Sequence, residues 1–203
     1  STQKSDDEDG TGKDTQEVTV LAEQGPQGLR LTWSPQLLAE ALKAARQRAA
    51  NPDAPTRQGV NLSLIDAGQA AGLLDAAKFL LIDLDRAVLA EDKVEPRGGK
   101  PTRLLVIKPH DGLSTSDRKS LKSREDILKI WLDDSGFPVA LDRVTKIKFS
   151  KMLISISIHS HRTRTFAVAG DHLVVMSSTE DSGGSGLGQS QENHNTTRVT
   201  LLP

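Results

Sequence analysis

The chain has no cysteine and no tyrosine among its 203 residues. Disulfides, a thiol nucleophile and every cysteine-ligated zinc or iron–sulfur site are therefore excluded. A chain without disulfides fits a reducing compartment. Aromatic residues make up only 3%, four Phe and two Trp. The core must then be built from Leu, Ile, Val and Ala, and platforms for stacking single-stranded bases are scarce, which argues against an RRM-like or OB-like reader. No apolar stretch reaches the roughly 18 residues that a spanning helix requires. The opening Ser1-Thr2-Gln3-Lys4-Ser5-Asp6-Asp7-Glu8-Asp9 has no apolar core of a signal peptide. Its initial serine fits loss of an initiator methionine. The expectation is an intracellular protein, cytoplasmic, nuclear or carried in a virion.

What is present is a segregated charge. The whole chain carries a net −1. Residues 1–17 hold two lysines and six acids, and residues 165–203 one basic and four acidic residues. Residues 97–164 hold fifteen basic and seven acidic residues, a net +8. Such asymmetry bears on partners rather than on fold.

Periodicity predicts an α+β protein. Residues 1–15 read as a disordered acidic tail. Residues 16–96 read as a β-hairpin, Glu17–Leu21 with Leu29–Trp33, followed by two helices. Ser34 caps the first helix, with Pro35 at its first position, and Leu38, Ala41, Leu42, Ala45 and Ala49 form its apolar stripe. The second is expected from about Asp66 to Glu91, on the spacing of Ala70, Leu73, Ala77, Leu80, Leu84 and Val88. Residues 97–177 read as a basic antiparallel meander carrying one helix, at Ile127–Leu132, which Ser123 and Asp126 open in capping-box spacing. Within it, Ile154, Ile156 and Ile158 alternate with polar residues and should share a buried face. Residues 178–203 read as a flexible Gly/Ser-rich segment with a terminal edge strand, Thr197–Leu202.

One segment carries an enzymatic signal. Phe79-Leu80-Leu81-Ile82-Asp83-Leu84-Asp85 reads as an apolar strand ending in Asp-x-Asp. It resembles the nucleophile motif of haloacid dehalogenase-like phosphatases, and Asp133-Asp134 is similar to that family's metal-binding pair. The resemblance implies Mg²⁺-dependent phosphoryl transfer with Asp83 as nucleophile and Asp85 as general acid/base. The chain departs from the family pattern in continuing with Arg86-Ala87 and in placing some eighty residues before the motif. Helical periodicity also runs through Asp83, which would make both carboxylates surface charges. His159 and His161, two apart on a strand, with His172 on a neighbour, could meet a metal, but too few ligands accompany them, and solvated histidines are the favoured account. No metal or cofactor is expected. Gly98-Gly99-Lys100-Pro101 lacks the spacing of a phosphate loop and reads as a linker.

The basic clusters carry more weight. Arg97, Lys100 and Arg103 precede one strand. Arg118, Lys119, Lys122 and Arg124 fall in a loop and helix start. Lys146, Lys148 and Lys151 follow on a strand, and Arg162 and Arg164 on a turn. Brought together, they would form an anion-binding face for nucleic acid or an anionic membrane. The expectation is a non-enzymatic binding or assembly protein with that surface, contacting protein partners through its tails and associating with itself, in the manner of viral matrix or nucleocapsid-associated components. The phosphatase and a protein-only oligomeric scaffold are the alternatives.

Overall fold

A computed structural model of the chain describes residues 2–6, 14–51, 65–151 and 154–202. Seven consecutive strands form an antiparallel meander: β5 (Val88–Arg97), β6 (Lys100–Lys108), β7 (Leu121–Leu132), β8 (Pro138–Lys151), β9 (Ile154–Ala169), β10 (His172–Gly186) and β11 (Gln189–Arg198). Beyond β11 the sheet continues with β1 (Thr2–Asp6) and β2 (Asp14–Glu17). A separate hairpin pairs β3 (Val20–Gly25) with β4 (Gly28–Trp33). The helices are α1 (Pro35–Ala50), α2 (Ala67–Leu74), α3 (Ala76–Leu84) and α4 (Thr115–Ser120). The α+β expectation holds in its coarse form, with sheet predominating. None of the described helices is long and apolar enough to cross a membrane.

The core lies between the sheet and the α2–α3 pair. Leu128, Ile130, Leu141, Phe166, Leu173 and Val175 are buried on one face beneath Ala76 and Leu80 of α3. On the opposite face Leu104, Trp131 and Ala140 form a smaller cluster. The Arg97 guanidinium lies 4.1 Å from the centre of the Trp131 ring. Strand β7 is thus buried on both faces, which explains the first correction. Ile127–Leu132 was expected as a helix and is strand, because a strand covered on both sides shows a continuous apolar run that periodicity alone cannot separate from a helix. The helix of the meander is α4 instead, capped by Ser114, whose hydroxyl accepts from Asp117 N.

The first helix is as expected, with Ser34 accepting from Leu37 N and Pro35 in the first turn. The second divides. Asp75 takes a non-helical conformation (φ −136°, ψ 65°) that closes α2 and opens α3. Helix α3 ends at Leu84 rather than near Glu91, where Arg86 adopts φ 55° and the chain turns into β5. Asp66 caps α2 in a full capping box with Gln69.

Three further expectations are corrected. The polar stretch 177–195 is not a flexible loop but the β10–β11 hairpin, paired from Ser177↔Arg198 to Gly186↔Gln189. Its polar residues reflect a sheet open to solvent there, not lack of structure. Residues 2–6 and 14–15, placed in the acidic tail, are strand. The rest of that tail lies outside the described residues. Ile154, Ile156 and Ile158 are 46%, 42% and 46% exposed rather than buried. Length explains this: the 16 residues of β9 span about 50 Å. The 8 and 9 residues of α2 and α3 together span only about 25 Å.

Gly98 and Gly99, both at positive φ, make the two-residue turn between β5 and β6. The equivalent turn between β10 and β11 uses Leu187 (φ 54°) and Gly188 (φ 79°). A leucine in the left-handed region, 79% exposed, has strain there and nothing to offset it. Leu187→Gly is expected to raise stability by about 1 kcal/mol, read as a rise in Tm of about 2–4 °C in thermal unfolding followed by circular dichroism.

Candidate functional site

Strand alternation places Arg143 on β8 and Arg162 and Arg164 on β9 on the same face as Leu141 and Phe166, the face that α2 and α3 partly cover. They begin where the apolar core stops. Arg143 is fully compensated. Its Nε and Nη2 donate to Asp126 on β7 at 3.0 and 3.1 Å, and its Nη1 donates to Asp83 on α3 at 2.8 Å. Asp126, 5% exposed, also accepts from Arg124 Nη2 at 2.6 Å. Arg162 donates through Nε and Nη2 to both oxygens of Glu180 at 2.9 Å.

Arg164 differs. Among the described residues no carboxylate pairs with it, and its one hydrogen bond is a long 3.4 Å from Nε to Ser178 Oγ. Burial pushes its guanidinium below the ordinary value, and the neighbouring Arg162 adds to the effect, against a weaker pull from Glu180 and Asp83. It lines a cleft of about 270 Å³ between α2–α3 and strands β9–β11. The floor is Arg162, Arg164, Ser178, Glu180, Asn195 and Thr197; the wall is Ile65, Leu73 and Phe79, with Gly68, Gln69 and Gly72 of α2. At Gly72 an added Cβ would stand 3.5 Å from the Phe79 ring, ordinary van der Waals contact, so the ring lies directly beside this position of α2. Two cations against one carboxylate leave one positive charge on the floor.

Of the remaining basic residues, Arg124 and Arg103 alternate onto this face but are paired with Asp126 and Asp92, and the others lie elsewhere. Arg97 stacks on Trp131 on the other side of the sheet. Arg103 is paired with Asp92 at 2.6 Å, Arg118 with Asp111 at 2.6 Å and Lys146 with Glu125 at 3.1 Å. Lys146 and Lys148 alternate onto the open face, away from Arg143. Lys100 starts β6, Lys119 lies in α4, Lys122 sits at an irregularity of β7, and Lys151 ends β8. Arg162 and Arg164, read from sequence as turn residues, lie mid-strand. The clusters therefore spread over both faces and several edges.

Asp83 and Asp85 stand at the end of α3, not at a strand terminus. Asp83 is engaged by Arg143 and Asp85 by Arg86 at 3.0 Å. Asp133, their expected metal partner, accepts from Ser135 N and Phe137 N in the β7–β8 turn. It is seven residues along β7 from Asp126, about 23 Å. His159 and His161 lie on the open face beside Glu192 (3.0 Å) and Asp142 (3.3 Å), whereas His172 sits at the β9–β10 turn beside Asp171. Among the described residues no three His, Asp or Glu side chains gather as a metal would require. Known protein families, curated proteins and solved structures yield no match to the chain.

Sequence reasoning missed the uncompensated Arg164. Its signal was present: Arg162 and Arg164 continue the alternation of Ile154, Ile156 and Ile158, so they had to fall on an inward-facing row.

The Asp126 cluster makes a stability prediction. Burial raises its pKa, but the hydrogen bonds and charges of Arg143 and Arg124 outweigh that and hold it below the usual 3.8. A carboxylate depressed on folding stabilises above its unfolded pKa, and that contribution is lost as pH falls through the folded value. Asp126→Asn should cost about 3 kcal/mol at neutral pH. It should also flatten the loss of stability below about pH 4, measured as urea midpoints between pH 6 and pH 2.

Proposed function

We propose that this chain is a non-catalytic binding protein that recognises an anionic group in the cleft between α2–α3 and the sheet. The observation that carries the reading is Arg164, a partly buried cation facing a cleft and paired with no carboxylate among the described residues. Withdrawing a guanidinium from water without a counter-charge costs several kcal/mol. Arg143, on the adjacent strand, has that cost offset by two carboxylates. A bound anion would do the same for Arg164 and would be held by the planar fork that suits carboxylate and phosphate oxygens. The scatter of the other cations favours one compact anionic group over a polyphosphate chain or a membrane surface. Both aspartates of the phosphatase-like motif are held in ion pairs, which favours binding over catalysis.

The test is thermal unfolding of the full chain at constant ionic strength with sulfate, inorganic phosphate, acetate and benzoate. At a concentration about 100 times Kd, a ligand specific to the native state adds about 2.7 kcal/mol, a rise of several degrees. At least one of these anions should raise the Tm of the wild-type protein and leave Arg164→Gln unmoved. Equal shifts in both proteins, or none with any anion, would sink the proposal.

A further inference from the structure

Resting on that reading, we infer that the ligand is an amphipathic monocarboxylate, a single carboxylate joined to a compact apolar body. Three features of the cleft converge on this class. The first is charge. Arg162 and Arg164 face one carboxylate, Glu180, already held by Arg162 through two hydrogen bonds. One positive charge remains. A dianion such as a phosphate monoester would bring a second negative charge up against Glu180, with Asp83 also within electrostatic reach of Arg164. A carboxylate balances the site.

The second feature is polarity. The surface opposite the arginines is Ile65, Leu73 and the ring of Phe79. Phe79 is 41% exposed, so part of an aromatic face is left for a ligand to cover. Ile65 is already buried and Leu73 packs on the core, so the Phe79 face is what an alkyl or aryl body would remove from water and an inorganic anion or a sugar acid would leave exposed. The third is size. At about 30 Å³ for each water displaced, a cleft of about 270 Å³ admits roughly ten non-hydrogen atoms, the bulk of an eight-carbon fatty acid or an aryl-alkanoate. Gln69 completes the polar end. Its carbonyl oxygen accepts from Asp66 N in the capping box, which leaves its NH₂ as the half able to donate.

Isothermal titration of the full chain with octanoate, 3-phenylpropionate, 1-octanol, acetate and sulfate tests the assignment. Octanoate or 3-phenylpropionate should bind at one site per chain, and octanol and acetate each about tenfold or more weaker. Arg164→Gln should weaken the amphipathic acids about tenfold or more. Phe79→Ala should weaken octanoate several-fold while leaving acetate unchanged. Urea unfolding of both variants guards against loss of fold, and Arg164→Gln should be no less stable than wild type, because it removes a cation without a partner. Sulfate or acetate binding as tightly as octanoate, dependent on Arg164, would overturn the amphiphile while keeping anion recognition. Octanol binding as tightly as octanoate would overturn the role of charge. No binding by any of the five would overturn both.

Discussion

Arg143 ties the helical layer to the sheet. Its guanidinium bridges Asp126 on the neighbouring strand and Asp83 on α3, three charges brought together at the edge of the apolar core. Apolar contacts between Leu80, Leu128, Leu141 and Val175 drive α3 onto the sheet, but such contacts are not directional and would tolerate sliding. The ion triad does not. It fixes where along β8 the helix must end, and it marks the row at which the sheet passes from buried to open. Everything below that row follows. The cleft lies beside that row, between α2–α3 and strands β9–β11, and among the described residues no helix extends the cover over the isoleucines of β9.

Half-coverage of a long meander has a second consequence. Strands β8 to β10 each begin or end in the core and run out into solvent, so one strand obeys two composition rules along its length. β10 reads Leu173-Val174-Val175 where it is covered and Ser182-Gly183-Gly184-Ser185 where it is not. The polar half is held by ladder hydrogen bonds and by pairs between strands, among them Glu180 with Arg162 and Thr165 with Ser177. Cross-strand pairs of this kind stabilise an open sheet modestly but in register.

That division explains what could be read from the sequence. Local chemistry was legible: the Ser34–Pro35 helix start and the alternation along β9 both depend on a few adjacent residues. What depends on context was misread in both directions. The polar half of β10 and β11 looked like linker because its composition matches one, and β7 looked helical because burial on both faces erases the period of two. The site was half legible. The arginines were visible as charges, but which of them meet a carboxylate is set by pairings 18 residues away for Arg162 and 60 for Arg143, and no local pattern encodes those.

The three arginines of β8 and β9 on the helix-side face differ in their compensation. Arg143 meets two carboxylates, Arg162 one, and Arg164 none among the described residues. At the Arg164 position an apolar side chain would pack against Phe79 and Leu73 without the cost of withdrawing a charge from water. It would also leave Arg162 and Glu180 as a neutral pair. The chain instead keeps a cation beside the cleft that no carboxylate among the described residues contacts directly. Under the proposed reading, a ligand in the cleft would supply the charge that offsets this cost.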